Sequence, residues 1–302
     1  MKIAIQGLGR MGLQIARKLA EADHHVIGLD INEVALAEAA GFGVTAARTK
    51  QEVLAAFTDN EQVTIWIMIA AGIVDGQVEE WLALLPSGSI IIDGGNSDFR
   101  ITQQRNKTLA EAGMNLVDVG TSGGIWGYRN GFSMMVGADD SQAYASIEPV
   151  LASLAAPEGA YDHFGPSGSG HFVKMTHNAI EYGMMESLAE GYRMLKDGPY
   201  KYLDLAAAGE VWQHHSVVTS WLNELSRDAL RANPELEGVD GFVAESGEAR
   251  WTLESAKEHG IELPAIQAAL DVRIASQQGQ TNFATKLLAA MRNAFGGHEL
   301  NK

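Results

Sequence analysis

Three observations predict an α/β fold: an open, mainly parallel sheet covered by helices over residues 1–165, followed by an all-α domain over 166–302. Short β-branched runs alternate with helical patterns along the first part of the chain, the order in which strands and crossover helices read in a parallel sheet. A glycine-rich turn follows the first strand and opens a helix. After the Pro/Gly/Ser stretch "FGPSGSG" at 164–170 the strand signal stops, and helical patterns run to the end.

Taken in order, the candidate strands are "KIAIQG", "HVIGLD", "VTIWIMI", "GSIIIDGG", "NLVDVG" and "FSMMVGA", with helical patterns such as "MGLQIARKLAEA" and "FRITQQRNKTLAEAG" between them. In "IAIQGLGRMGLQIARKLAEADHHVIGLDIN" the glycines Gly7, Gly9 and Gly12 sit at the strand-to-helix turn, and Asp30 ends the next strand. Such a glycine pattern alone is weak, but within a βαβ unit of about 30 residues, with an acid about 20 residues on, it marks a Rossmann-type dinucleotide site. Gly7 permits the tight turn, Gly9 the approach of the pyrophosphate, and Gly12 close helix–strand packing. The backbone from Gly7 through Leu8, Gly9, Arg10 and Met11 to Gly12 then offers helix N-terminal N–H groups to the phosphates. Asp30 would accept from the ribose 2′-hydroxyl and repel a 2′-phosphate. The following "INE" supplies no cation, so NAD is favoured over NADP. Met68, Ile69 and Ala70, and Asn96 in "DGGNS", end further strands where open α/β sheets place ligand-contacting loops. Asn96 is a candidate to face nicotinamide and substrate, or else a turn asparagine.

The 302 residues suffice for two moderate domains. A formal charge of −16 argues against nucleic acid or an acidic membrane surface as partner, leaving small molecules. With no cysteine there is no disulfide framework or thiolate metal site, and no compact His/Asp/Glu metal motif stands out. The opening "MKIAIQGLGR" enters a strand at once, and apolar stretches such as "VTIWIMIAAGIV" are too short to span a bilayer, so a cytoplasmic location is expected.

The stretch "GSGHFVKMTHNAIEYGMMESLAEGY" at 168–192 places Lys174, His177, Asn178, Glu181 and Tyr182 on one helical face. Phe172, Val173, Met175, Ala179, Ile180, Met184 and Met185 cover most of the remaining cylinder, as in a helix running through a domain interior. A lysine and a carboxylate on an inward face would line a polar cavity, a candidate active site, unless they belong to a buried structural network.

These motifs resemble one family. "GLGRMG", "IIDGGNS", "GTSGGIWGYRNG", "GHFVKMTHNAIEYG", "ARWT" and "RNAFGGH" occur in the order and context of the decarboxylating 6-phosphogluconate dehydrogenases, in their short, mainly prokaryotic form. Related β-hydroxyacid dehydrogenases share the glycine turn, a Ser-Gly-Gly loop and the lysine. They typically have Asn-Asn in place of "HN" and lack the "IEYG" that supplies the glutamate.

The resemblance implies oxidative decarboxylation of 6-phosphogluconate to ribulose 5-phosphate, a pentose phosphate pathway reaction, with NAD as acceptor. Neutral Lys174 would take the C3 hydroxyl proton as hydride leaves, a state that desolvation favours. It would then stabilise the enolate oxygen after CO2 loss, and Glu181 would protonate C1. Ser122, Gly123 and Gly124 match the carboxylate loop. His177 and Asn178 match residues near the hydroxyls, and Asn96 a residue beside the reacting carbon. Tyr182, Arg273, Arg292 and His298 match the group around the phosphate and sugar tail. No metal is implied. A homodimer or homotetramer is, with the C-terminal tail completing the neighbour's site. Two departures stand out. Ser246 occupies the position of a lysine ahead of Arg250, so one phosphate cation is missing, and Ile125 and Trp126 replace acidic residues. The rival readings are a 3-hydroxyacid dehydrogenase of the same fold that does not decarboxylate, and a catalytically silent dinucleotide sensor.

Overall fold

A computed structural model describes residues 1–58, 61–157 and 159–297. They form two compact units, Met1–Met175 and Thr176–Lys302.

The first unit is built on β1 (Lys2–Gln6), β2 (His25–Leu29), β3 (Thr45–Ala47), β4 (Thr64–Ile67), β5 (Ile90–Asp93), β6 (Asn115–Ser122), β7 (Ser133–Ala138) and β8 (Tyr161–Gly165). The order across the sheet is β3-β2-β1-β4-β5-β6-β7-β8. The strands from β3 to β6 are parallel, β7 is antiparallel to β6, and β8 is parallel to β7. The chain reverses its direction of travel between β1 and β4, the switch point where open α/β sheets bind ligands. The covering helices are α1 (Arg10–Glu21), α2 (Glu33–Ala40), α3 (Lys50–Ala55), α4 (Val74–Leu82), α5 (Phe99–Glu111), α6 (Gly127–Asn130) and α7 (Ser141–Leu154). Alternation along β1 sends Ile3 and Ile5 into one core with Ile15 and Leu19 of α1, and Ala4 into the other with Ile65 and Ile67. Both faces of the sheet are therefore buried, which is why its central strands read as unbroken apolar runs.

Two strands, β3 and β8, go beyond the six expected from sequence. β3 has only three residues, "TAA", and β8, "YDHFG", is an edge strand that buries none of its residues fully. Neither carries a β-branched run that would announce it.

α8 (Ser169–Asp197) follows β8 after three residues and is continuous for 29 residues. The helical unit continues with α9 (Leu205–Gln213), α10 (Trp221–Ala232), α11 (Glu248–Glu258), α12 (Pro264–Gln277) and α13 (Phe283–Gly296). Met185, Ala189 and Tyr192 of α8 pack with Leu222 and Leu230 of α10 and with Leu287, Leu288 and Met291 of α13. α13 starts at a capping box formed by Asn282 and Thr285 and ends at Gly297 in the left-handed conformation. The expectation that α8 runs through the interior is corrected on one side. Met175, Ala179 and Met185 are buried, but Phe172, Ile180 and Met184 are 42%, 52% and 45% exposed. Among the described residues no helix is long and apolar enough to cross a membrane.

Candidate active site

The turn after β1 has the geometry that a dinucleotide requires. Gly7 has φ of 95°, and a Cβ there would come within 2.5 Å of the Met68 carbonyl oxygen. A Cβ on Gly12 would collide with the Gly7 carbonyl, so the helix approaches the turn only because residue 12 is glycine. Nothing lies within 4 Å of the equivalent position on Gly9, which leaves that backbone open. Gly9 caps α1 without a side-chain hydrogen bond, and no acid sits in the first turn. A glycine-capped helix start with no acid in its first turn fits a bound pyrophosphate.

Asp30 accepts from the Leu8 N–H at 2.6 Å and the Asn32 N–H at 2.8 Å, which orients its carboxylate at the end of β2. Leu8 uses its N–H there and its side chain in the core. Met11, Met68 and Ile69 are half-buried, while Arg10 and Ala70 are exposed. Sequence reading missed one cation: Arg48, beyond β3, donates to both carboxylate oxygens of Glu33 at 2.7 and 2.8 Å. β3 brings it beside the end of β2, a proximity that local sequence does not reveal.

Asn96 is exposed at the tip of the loop after β5. Below it, fully buried Asp93 accepts from Arg105 at 2.7 Å and from Ser97 at 3.1 Å, and Arg105 also donates to Asp75 at 2.6 Å. This network, which sequence reading did not find, fixes the loop that carries Asn96.

The start of α8 is held on β6 and β7. Asp118 accepts from the backbone N–H of Gly168 at 2.6 Å and of His171 at 2.8 Å. Burial pushes its carboxyl up, against the stabilising His171 charge and those two N–H donors. A Cβ on Gly170 would lie 2.5 Å from the Met135 carbonyl oxygen. A Cβ on Gly120 would collide with Lys174 and lie 2.8 Å from its Cγ. Gly120 thus lets the stem of buried Lys174 lie directly on the β6 backbone. Two residues beyond Gly120, Ser122 ends β6, and Gly123 and Gly124 follow with φ of 132° and 53°. All three are half-buried.

In the helical unit, His177, Asn178 and Glu181 are half-buried and Tyr182 is buried. His177 Nδ1 lies 2.9 Å from Asn178 Oδ1, and Asn178 Nδ2 donates to Glu248 at 2.9 Å. The guanidinium of Arg273, 1% exposed, stacks 3.2 Å from the centre of the Tyr182 ring. It donates a hydrogen bond to Met185 Sδ at 3.5 Å. Burial lowers the Arg273 pKa to about 10, with Arg292 lowering it further and Tyr182, Glu181 and Glu186 opposing. Burial likewise lowers that of Arg292, opposed by Tyr182, Glu181 and Glu248. Neither arginine forms an ion pair among the described residues.

Arg292 is 8% exposed within the helical unit, where α13 packs against α10. His298 lies outside the described residues. The backbone N–H of Ser246, the residue that replaces the expected lysine, donates to the Tyr182 hydroxyl at 3.3 Å. Arg250 is tied to Glu245 at 2.7 Å and is half exposed.

A glycine-turn sheet unit followed by a helical unit, joined by one helix with a buried lysine at its start, defines a nucleotide-dependent dehydrogenase. Residues 2–165 match the family profile described as the NAD binding domain of 6-phosphogluconate dehydrogenase, and residues 170–299 that of the 6-phosphogluconate dehydrogenase C-terminal domain. The chain belongs to the 6-phosphogluconate dehydrogenase family. It is 37% identical over 302 residues, covering all of both chains, to Bacillus subtilis YqeC, which is provisionally described as a 6-phosphogluconate dehydrogenase. It is 35% identical, over 99% of this chain and 98% of the other, to the NAD(+)-dependent, decarboxylating 6-phosphogluconate dehydrogenase of Haloferax volcanii. The solved 6-phosphogluconate dehydrogenase of Plasmodium falciparum superposes with a TM-score of 0.82 at 25% identity, over 96% of this chain and 70% of that one.

Proposed function

We propose that this chain oxidises and decarboxylates 6-phosphogluconate to ribulose 5-phosphate and CO2, with NAD preferred over NADP. The observation that carries the reading is the pair of buried guanidinium groups, Arg273 and Arg292, beside Tyr182, neither with an ion-pair partner among the described residues. Two buried cations without a carboxylate partner are costly unless a ligand supplies the negative charge, and a phosphorylated sugar acid does so. Lys174 and Glu181 lie seven residues apart on α8, two turns along one face.

NAD, when bound at the glycine turn, supplies the hydride acceptor. Lys174 takes the proton of the substrate C3 hydroxyl, and its ammonium then stabilises the enolate oxygen left as CO2 departs. Glu181 delivers a proton to C1. Ser122, Gly123 and Gly124 hold the carboxylate, His177, Asn178 and Asn96 the hydroxyl-bearing carbons, and Tyr182, Arg273 and Arg292 the phosphate. The division into residues 1–165 for nucleotide and 166–302 for substrate and dimerisation belongs to the same reading. So does a cytoplasmic homodimer or homotetramer, supported by the exposed apolar residues Ile180 and Met184 on α8.

Asp30 supports NAD, as does the engagement of Arg48 by Glu33. A panel of 6-phosphogluconate, gluconate and 3-hydroxyisobutyrate with each nucleotide tests the reading. The highest kcat/KM is expected for 6-phosphogluconate with NAD, and a preference for 3-hydroxyisobutyrate would overturn it.

A further inference from the structure

Glu248 is absent from every motif discussed so far, and it has the unusual feature of a buried carboxylate oxygen with nothing to accept from. It is the first residue of α11 and 2% exposed. Gly247 before it has φ of 102°, and a Cβ there would lie 2.6 Å from the Trp251 ring, so the entry into α11 is fixed at glycine. Oε1 accepts from Asn178 at 2.9 Å, whereas Oε2 is buried and has no hydrogen-bond partner among the described residues. Arg292 feels the charge of Glu248 but makes no ion pair with it. In folded proteins, charged groups with a bare buried oxygen are rare, because an unmade bond forfeits the solvation of that group.

We infer that Glu248 Oε2 is the acceptor for a hydroxyl of the substrate, which makes Glu248 a specificity-determining residue; this rests on the sugar-acid reading above. The fitting chemistry is narrow. An ionised carboxylate oxygen needs a donor, and an open-chain sugar acid carries hydroxyls along its length. A hydroxy acid with a hydrocarbon chain would leave Oε2 bare, at the cost that lets hydrogen-bonding sites reject analogues lacking one polar group. Asn178 ties this acceptor to the α8 face. Its amide oxygen faces His177 and its nitrogen faces Glu248, so one carboxylate both orients Asn178 and presents its second oxygen beyond it. With Tyr182 and the two arginines in the same unit, one group suited to a hydroxyl stands among groups suited to an anion.

Glu248→Gln separates the two duties of this side chain. Its amide oxygen can still accept from Asn178, but an NH2 donor replaces Oε2. kcat/KM is to be measured for wild type and variant with 6-phosphogluconate and with its 2-, 4- and 5-deoxy forms, each ratio taken within one protein so that any loss of folded fraction cancels. Glu248→Asp, which keeps the charge and withdraws the oxygens, serves as the second variant. Wild type is expected to lose about ten- to hundredfold on one deoxy form, the range for a hydrogen bond to a charged acceptor. That loss should shrink to within about threefold in Glu248→Gln, while the penalties on the other forms persist. Equal penalties in both proteins for all three analogues would overturn the assignment and reduce Glu248 to a support for Asn178. Failure of wild type to turn over 6-phosphogluconate at all would instead overturn the parent reading, and this inference with it.

Discussion

The two units treat buried charge in opposite ways. In the sheet unit, Asp93 is met by Arg105, Lys50 by Glu80 at 2.7 Å, and Asp118 by two backbone N–H groups. In the helical unit, among the described residues, Arg273 and Arg292 have no carboxylate within ion-pairing distance, and one oxygen of Glu248 has no donor. A buried charge with its partner in place is scaffolding, since breaking the pair leaves the other charge stranded. On the proposed function, a buried charge without one is held ready for a ligand.

The largest effect should come from the base. Lys174→Met is expected to lower NADH formation by about 10³-fold or more, in the upper range for loss of a general base. Glu181→Gln should cripple turnover and also the exchange of the C1 proton of ribulose 5-phosphate with solvent, which NMR in deuterated water follows. Near-normal turnover in either variant would break the assignment.

The contrast itself is tested by paired substitutions. Arg105→Ala, which strands Asp93, should destabilise the protein by about 3–5 kcal/mol. Arg273→Met should leave thermal stability unchanged or raised while kcat/KM for 6-phosphogluconate falls about 10²-fold. The reverse pattern would make Arg273 scaffolding. Arg292→Ala adds a test of connectivity: mixed with Lys174→Ala chains in verified heterodimers, it should give no recovery if Arg292 serves the site of its own chain. Recovery of about a quarter of wild-type activity would place it in the neighbour's site.

A smaller effect concerns pH. Burial, with Glu190 adding to it and Arg273 opposing, pushes the Glu186 carboxyl from 4.5 up to about 7. The folded state then holds a proton that the unfolded state has released between those values, so stability is fully present below pH 4.5 and is lost as pH rises through 7. The melting temperature of wild type relative to Glu186→Gln should fall across that window, by the equivalent of at most about 3 kcal/mol. A constant difference would show that Glu186 titrates as an exposed group does. The smallest expected change is in cofactor choice. Asp30→Ser with Asn32→Arg should move kcat/KM from NAD towards NADP, and a wild-type preference for NADP would point to a cation such as Arg48 leaving Glu33.

What the sequence made legible was local. The glycine turn with Asp30, and the stripe from Lys174 to Tyr182, are set by spacing along one strand–helix unit and one helix, so their periodicity is visible in the residues themselves. Arg105, Asp118 and Glu248 escaped because each gains its meaning from a partner 12 or more residues away: Asp93, the start of α8, and Asn178. Arg292 was seen, but its destination depends on how α13 packs, which no local pattern encodes. The exposed side of α8 was misjudged for the same reason, since apolar residues read alike whether a neighbour covers them or not.

The most direct test of the oxidative decarboxylation is stoichiometry. With 6-phosphogluconate labelled at C1 and NAD in excess, release of labelled CO2 and formation of NADH should proceed one to one from the first turnover, and Glu181→Gln should slow both. NADH formed without labelled CO2, with the oxidised six-carbon acid accumulating, would contradict it and leave a dehydrogenase that does not decarboxylate.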